Sequence, residues 1–378
     1  MDLVYNNFYF SFYEKRINDE LPISNINQCN IEEDIDNSSS KIPVVSSKRH
    51  VIDFVPPYLE IAFKGKYNFF ATDGLDVYYA DLSNFKNFSD YFNNQFSSKS
   101  RTKVRSYIKK LEKCFDISYQ MFFGYIDEEK YNLLFTKLRT LLESRFEQIG
   151  LKHLAFKYWD YYTTTVYDFI LKKQASMFVI YDGNKPIDIC VNFHFKNIMV
   201  NSIRSYDINY SKFRLGFVDI YKQLEWCFEN DIEIFDLMYG EAAYKQKWCN
   251  KIEKSQRYIL YSKKSNKDAS VAYMYALYSK YRSRLFPTKK GATLSINEKD
   301  INIVATYIND DSNIINDSTL KEINTDDITY EFLSKAVRDF QYHNAEHKSN
   351  IKLYKTIEEK DIYVIAGTKK RLEVKLDY

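Results

Sequence analysis

Between residues 175 and 239 the hydrophobic period changes, and that change restricts the architecture more than any other feature of the chain. SMFVIYD and PIDICVNFHF flank Asp182-Gly183-Asn184-Lys185, the composition of a tight hairpin turn. In the second run Ile187, Ile189, Val191, Phe193 and Phe195 alternate, the pattern of a strand with one buried face. Lys196-Asn197 then turns the chain into IMVNSIRSYD, a third antiparallel strand. In RLGFVDIYKQLEWCFEN the period becomes helical, with Phe217, Ile220, Tyr221, Leu224, Cys227 and Phe228 on one stripe. The strand IEIFDLMY follows at once. A helix placed directly after an antiparallel meander has to cross back over the sheet, so its N-terminus points at the edge where the last strand ends. The expected class is α+β, with a mixed, mostly antiparallel sheet flanked by helices.

The rest of the chain fits that class. YLEIAF and KYNFFAT flank a turn at Lys64-Gly65, and LDVYYADL follows a second turn signal, Asp73-Gly74. Residues 18–48 are polar and Asn/Ser-rich and read as a long loop. KSRTKVRSYIKKLEK, 99–113, reads as a helix with Val104, Tyr107, Ile108 and Leu111 on its apolar side and Arg101, Lys103, Arg105, Lys109 and Lys110 opposite. Glu128 to about Ile149 is a second helix, closed by Gly150, and 158–174 a third. KIEKSQRYILYS reads as a later strand and 268–286 as a Tyr-rich helix. PTKKGA, 287–292, marks a boundary. Beyond it a strand, an acidic loop, a helix and two strands form a small β-α-β-β module.

Composition removes several function classes. Only 9 of 378 residues are glycine, and they are far apart. Phosphate loops and nucleophile elbows need glycine for steric reasons, so the G-x-G-x-x-G, G-x-x-x-x-G-K and G-x-S-x-G motifs are absent. The 34 Tyr and 28 Phe give a high background against which a single Tyr says little. A net charge of +3 argues against a nucleic-acid coat, though not against a local basic patch. Five scattered cysteines without a C-x-x-C fit a reducing compartment. No apolar run approaches the ~18 residues of a membrane span. The expectation is a soluble, cytoplasmic protein that can visit a membrane surface. Of the five histidines only His343 and His347 have helix-face ligand spacing, and no further ligand set accompanies them, so no metal is expected.

Two stretches carry the candidate chemistry. The crossing helix opens on Lys212-Phe213-Arg214-Leu215-Gly216-Phe217, two cations and the one local glycine at a helix N-terminus, which reads either as an anion site or as a plain helix start. The strand that follows it ends in DLMYGEAAYKQKW. There Asp236 reads as a proton acceptor, Tyr239 and Tyr244 as hydroxyl donors, Lys245 as a charge partner for phosphate or oxyanion, and Trp248 as packing. Arg204, Tyr206 and Asp207, at the end of the preceding strand, are candidates to hold an acceptor, or a surface ion pair. His194 reads as structural.

Residues 160–262 resemble the acyltransferase domain of the GNAT superfamily. Within it they are similar to the branch related to cellulose-biosynthesis CelD proteins and the FemAB/FemX peptidoglycan transferases. The likeness rests on Ser205-Tyr206-Asp207 ending a strand, Arg214-Leu215-Gly216 opening a helix, and Asp236-Leu237-Met238-Tyr239-Gly240 followed by Tyr244-Lys245-Gln246-Lys247-Trp248. SRTKVRSYIKKLEK resembles the basic helix upstream in such proteins. The superfamily's pyrophosphate loop is represented by Gly216, with Val218 two positions on. The resemblance implies an N-terminal extension (1–49), a degenerate GNAT-like half (50–155), an acyltransferase half (156–286) and a C-terminal module (290–378).

It also implies a co-substrate, acyl-CoA, with acetyl-CoA first among candidates. Lys212 to Phe217 would hold it, Asp236, Tyr239, Tyr244 and Lys245 would supply catalysis, and Arg204, Tyr206 and Asp207 would face the acceptor. The implied activity is N-acylation of a sugar, glycan precursor or lipid-linked intermediate in polysaccharide biosynthesis. The partner is then a small-molecule or glycan acceptor, with membrane-surface contact compatible. A FemX-like, aminoacyl-tRNA-dependent transferase is the second reading, the only one with a nucleic-acid partner, and a non-catalytic scaffold is the third.

Overall fold

The computed structural model describes residues 3–15, 21–28, 49–285, 302–308, 320–324, 327–357 and 361–377. The Asn/Ser-rich stretch from 29, PTKKGA and most of the acidic loop lie outside them. The elements run in order β1 (Leu3–Asn7), a π-helical turn (Tyr9–Tyr13), β2 (Ile23–Gln28), β3 (Arg49–Val55), β4 (Leu59–Phe63), β5 (Tyr67–Asp81), α1 (Phe88–Gln95), α2 (Ser98–Cys114), β6 (Ile117–Phe122), α3 (Glu128–Gln148), α4 (Trp159–Leu171), β7 (Ala175–Asp182), β8 (Lys185–Phe195), β9 (Ile198–Tyr206), α5 (Leu215–Glu229), β10 (Ile234–Tyr239), α6 (Ala243–Trp248), β11 (Lys251–Ser262) and α7 (Asn266–Leu285). They continue with β12 (Asn302–Ile308), β13 (Leu320–Ile323), α8 (Ser334–Asn344), β14 (Lys352–Thr356), β15 (Ile362–Ala366) and β16 (Arg371–Asp377). The class is the expected one: helices flank sheets that are mostly antiparallel.

The chain divides into two compact units. The first comprises Met1–Asn87, Asn192–Ser202 and Cys227–Leu294; the second comprises Phe88–Val191, Ile203–Trp226 and Ser295–Tyr378. In the first, β1 pairs in parallel with β3, and β3 pairs antiparallel with β11. β11 follows β5 from Ser262↔Tyr67 to Lys251↔Tyr79. β10 lies antiparallel to β5 and parallel to the start of β9, Ile234↔Ile198 to Asp236↔Val200.

Two expectations fail here. Asp73-Gly74 is no turn, because β5 runs straight through it for 15 residues. A Cβ on Gly74 would lie 2.4 Å from Ser255 Oγ, opposite the bulge of β11 between Lys254 and Gln256. The glycine answers a close approach of a neighbouring strand, not a reversal. Within the segment read as loop, Ile23–Gln28 is a strand paired with β4.

In the second unit α2 starts at Ser97, whose hydroxyl accepts from Ser100 N–H at 3.4 Å, and α3 starts at Asp127, whose carboxylate accepts from Lys130 N–H at 3.0 Å. Gly150 follows α3 at φ +67°. Ile108, Leu111 and Phe115 pack with Phe178, Ile180 and Phe213 in one core. β6 and β7 pair from Ile117↔Asp182 to Phe122↔Met177, and Gly183 turns β7 into β8 at φ +58°.

Strand β8 departs from the one-buried-face expectation. Asp188, Cys190, Asn192 and His194 are buried along with Ile187, Ile189, Val191 and Phe193. Alternation of polar and apolar residues was read as solvent on one side; here both sides are covered. The C-terminal module holds more than a β-α-β-β unit. Its sheet has five strands in the order β12-β16-β15-β14-β13, around a core that includes Val337, Phe340, Leu353 and Val374. The additional strands are β13, where Lys321 and Glu322 are adjacent, and β16, where Arg371, Glu373 and Lys375 alternate with apolar residues.

Candidate active site

In the first unit, β10 breaks its pairing with β5 just after Asp236, with a register shift between Asp236 and Tyr239. Bulges of this kind re-aim side chains. Met238 takes a left-handed backbone, φ +64°, which costs a β-unbranched residue on the order of 1 kcal/mol. That turn brings Met238 N–H back to Asp236 Oδ1 at 2.5 Å. Gly240, at φ +95°, ends the strand. Tyr239 projects between Phe54, stacked on it at 4.2 Å between ring centroids, and Asn7, whose amide donates to its hydroxyl at 3.0 Å.

Asp236 is fully buried. Its Oδ2 accepts from two tyrosines, Tyr9 Oη at 2.6 Å and Tyr58 Oη at 2.5 Å. Behind Tyr58, the hydroxyl of Tyr13 lies 3.3 Å from that of Tyr58. Burial raises the Asp236 carboxyl above the ordinary carboxylate range. Hydrogen bonds from Tyr58, Tyr9 and Met238 N–H oppose that rise, as does the charge of Lys245. Lys245 sits on α6 with its Nζ donating to the Tyr239 carbonyl at 2.9 Å, and is 9% exposed. Burial pushes its pKa down to about 8, against the pull of Asp236. The cluster therefore joins a carboxylate held by three donors to an ammonium with a pKa lowered to about 8. Those are the properties of a proton acceptor and a proton donor.

Three of the four candidate catalytic residues, Asp236, Tyr239 and Lys245, meet in this cluster. Tyr244, 38% exposed, lies one residue before Lys245 on α6. Trp248 is buried, as packing requires. Tyr9, Tyr13 and Tyr58 were not legible in the sequence. Tyr9 lies 227 positions from Asp236, and nothing in its local pattern separates it from the many other tyrosines.

In the second unit, the opening of α5 distributes its residues unevenly. Phe213 and Leu215 are buried in the core. Lys212 pairs with Asp339 at 3.2 Å and contacts His343 Nε2 at 3.1 Å. Arg214 is exposed, with a left-handed backbone at φ +59°, and its carbonyl accepts from Phe217 N–H at 2.7 Å. Gly216 leaves room for Arg204: a Cβ there would lie 2.6 Å from Arg204 Nη2.

Arg204 and Asp207 do not pair with each other. Arg204 Nε lies 2.6 Å from the buried Asp219 Oδ2. Asp207 caps a short turn by accepting from Asn209 N–H at 3.0 Å and pairs with Lys185 at 2.9 Å. The Tyr206 ring lies under Arg145 at 4.8 Å. The basic face of α2 is solvent-facing at Lys99, Lys103, Arg105 and Lys109. In the first unit, His194 is buried, and burial lowers its pKa to about 3, leaving it neutral.

Residues 98–246 match the acetyltransferase (GNAT) domain family. The matched segment contains β10, Asp236, Tyr239, Tyr244 and Lys245 as well as the opening of α5. No curated protein matches the sequence.

Among solved structures, a conserved protein of unknown function from Bacteroides thetaiotaomicron aligns at 10% identity and TM-score 0.38, over 53% of this chain and 63% of its own. L-PGS from Bacillus licheniformis aligns at 16% and 0.35, over 58% and 68%. FemX aligns at 10% and 0.37, over 50% and 62%. At such TM-scores none of these likenesses bears on what this chain does. Among the described residues no helix is long and apolar enough to cross a membrane, and no group of three or more His, Cys, Asp or Glu is placed to hold a metal.

Proposed function

We propose that the chain is an N-acyltransferase. It moves an acyl group from an acyl-CoA, acetyl-CoA first, to an amino group of a sugar, glycan precursor or lipid-linked intermediate in polysaccharide assembly. The observation that carries this reading is the buried Asp236 carboxylate beside Lys245, at the exit of a strand inside the segment that matches the GNAT domain family. N-acylation forms one C–N bond and breaks one C–S bond. The attacking amine must lose a proton and the leaving thiolate must gain one. Asp236 accepts the first. Lys245, with a pKa of about 8, is matched to give the second. Tyr244, exposed beside it, offers a hydroxyl to the thioester oxygen. No covalent enzyme intermediate is needed.

The test has two parts. Acetyl-CoA raises the melting temperature of the purified chain. In an assay of thiol release with glucosamine as acceptor, Asp236→Asn lowers kcat by about a hundredfold or more with acetyl-CoA binding retained. Absence of any melting shift with acetyl-CoA or longer acyl-CoAs would remove the reading. One observation favours an aminoacyl-tRNA donor instead: the solvent-facing cations of α2 form a stripe suited to phosphates. Stabilisation by charged tRNA that weakens steeply with salt, with none by acyl-CoA, would select that alternative.

A further inference from the structure

We infer that Asp236 exchanges its proton through the hydroxyl of Tyr58, with Tyr13 behind it, and that Tyr9 is a positioning residue for the same carboxylate. This rests on the reading of Asp236 as the proton acceptor.

The argument starts from burial. Asp236 is 0% exposed, so an acceptor amine cannot touch it in this conformation. A proton must reach it through a group that both accepts and donates. A carboxylate only accepts, whereas a hydroxyl does both at once. Both hydroxyls on Oδ2 belong to buried tyrosines, and Tyr58 is the one with the Tyr13 hydroxyl beside it, at 3.3 Å. Tyr58 follows Pro56-Pro57 in the turn between β3 and β4, where Leu59 N–H donates to the Pro56 carbonyl at 3.2 Å. Two prolines fix the backbone there, and the ring packs edge-on against Tyr79 at 5.1 Å. Its hydroxyl is thus held between Asp236 Oδ2 and the Tyr13 hydroxyl.

The step balances without any further reactant. A proton leaving the amine arrives on Tyr58 Oη, directly or by way of Tyr13 Oη. The proton already on Tyr58 passes to Asp236 Oδ2. Tyr58 ends as it began, a neutral phenol, and the carboxylate has become a carboxylic acid. Release runs the same chain backwards. The tyrosines stay neutral throughout, because burial and the Asp236 charge hold all three phenols well above their ordinary range. The titratable groups facing the carboxylate are Tyr9 and Tyr13 from the π-helical turn, Tyr58, Tyr79 from β5, Lys245 from α6 and Cys249 after it.

Two measurements on the full chain test this. In the first, infrared spectroscopy follows the carbonyl band of protonated Asp236 through a pH titration, assigned by its loss in Asp236→Asn. Tyr58→Phe and Tyr9→Phe each remove a donor from the ionised form, so each moves the titration to higher pH. An unmoved titration in Tyr58→Phe overturns the inference, whatever the substrate proves to be.

The second is thiol release from acetyl-CoA with glucosamine. Tyr58→Phe lowers kcat by about a hundredfold, with KM for acetyl-CoA unchanged. Tyr9→Phe retains most of kcat and moves the acid limb of its pH profile upward, as a positioning role requires. If Tyr58→Phe turns over like wild type while Asp236→Asn is inactive, the relay is wrong and Asp236 remains the acceptor. If Asp236→Asn turns over like wild type, both readings fall. Melting curves confirm that each variant is folded.

Discussion

Two buried aspartates, one in each unit, have opposite surroundings. Asp236 has three donors and a lysine within its field. Asp188 has neither carboxylate oxygen hydrogen-bonded, although it is fully buried. Burial, reinforced by the charge of Asp219, pushes Asp188 far above the ordinary carboxylate range, and Arg204 and Arg145 only partly offset that. The first carboxyl is solvated by protein and kept exchangeable. The second has no hydrogen-bonding partner, and its proton is held more tightly than an ordinary carboxyl's. Burial by itself therefore does not mark a reactive carboxylate; the number of donors around it does.

The largest effect expected from disturbing this contrast is on stability. Asp219→Ala removes one partner of the buried Arg204–Asp219 pair, and breaking a buried pair from one side costs about 3 kcal/mol or more. Chemical denaturation should show that loss, and Arg204→Met with Asp219→Leu should recover most of it. A stable Asp219→Ala would mean that Asp188 ionises and takes over as partner.

Next in size is the loss of Lys245. Its pKa of about 8 predicts turnover that declines as pH rises through 8, as the ammonium needed by the leaving thiolate disappears. Lys245→Gln should lower kcat about tenfold and abolish that basic limb. A limb that survives in Lys245→Gln would assign the acid to another group.

The smallest effect is at Asp188. Its folded pKa lies above its unfolded value, so the folded state holds more protons between the two. The contribution to stability is complete below the unfolded pKa and is lost as pH rises from the ordinary carboxylate range toward the folded value. The slope is on the order of 1 kcal/mol per pH unit. Asp188→Asn carries no titrating proton, so thermal melts between pH 5 and 8 should show a flatter dependence than wild type. Parallel curves would mean that Asp188 is ionised in the folded protein.

Local signals were readable wherever the cause was local. The apolar stripe of α2, Gly150 after α3, the Gly183 hairpin and the Gly240 strand exit stand where their side chains and backbone angles require. The strand carrying Asp236 was legible for the same reason. Asp73-Gly74 was misread because a glycine demanded by Ser255 on another strand looks like a glycine demanded by a turn. The polar side of β8 was misread because covering it depends on residues distant in sequence. The donors of Asp236 were illegible in principle: Tyr9 and Tyr58 reach it only after β1, β3 and β5 have assembled.

That assembly bears on where this chain can be cut. The GNAT match at 98–246 contains Asp236 and Lys245 but neither Tyr9 nor Tyr58. An excised segment 98–246 would retain the Asp236 carboxylate and lose the two hydroxyls that donate to it. The family match and the hydrogen-bonded cluster around Asp236 have different boundaries, and the second encloses residues from position 9 onward.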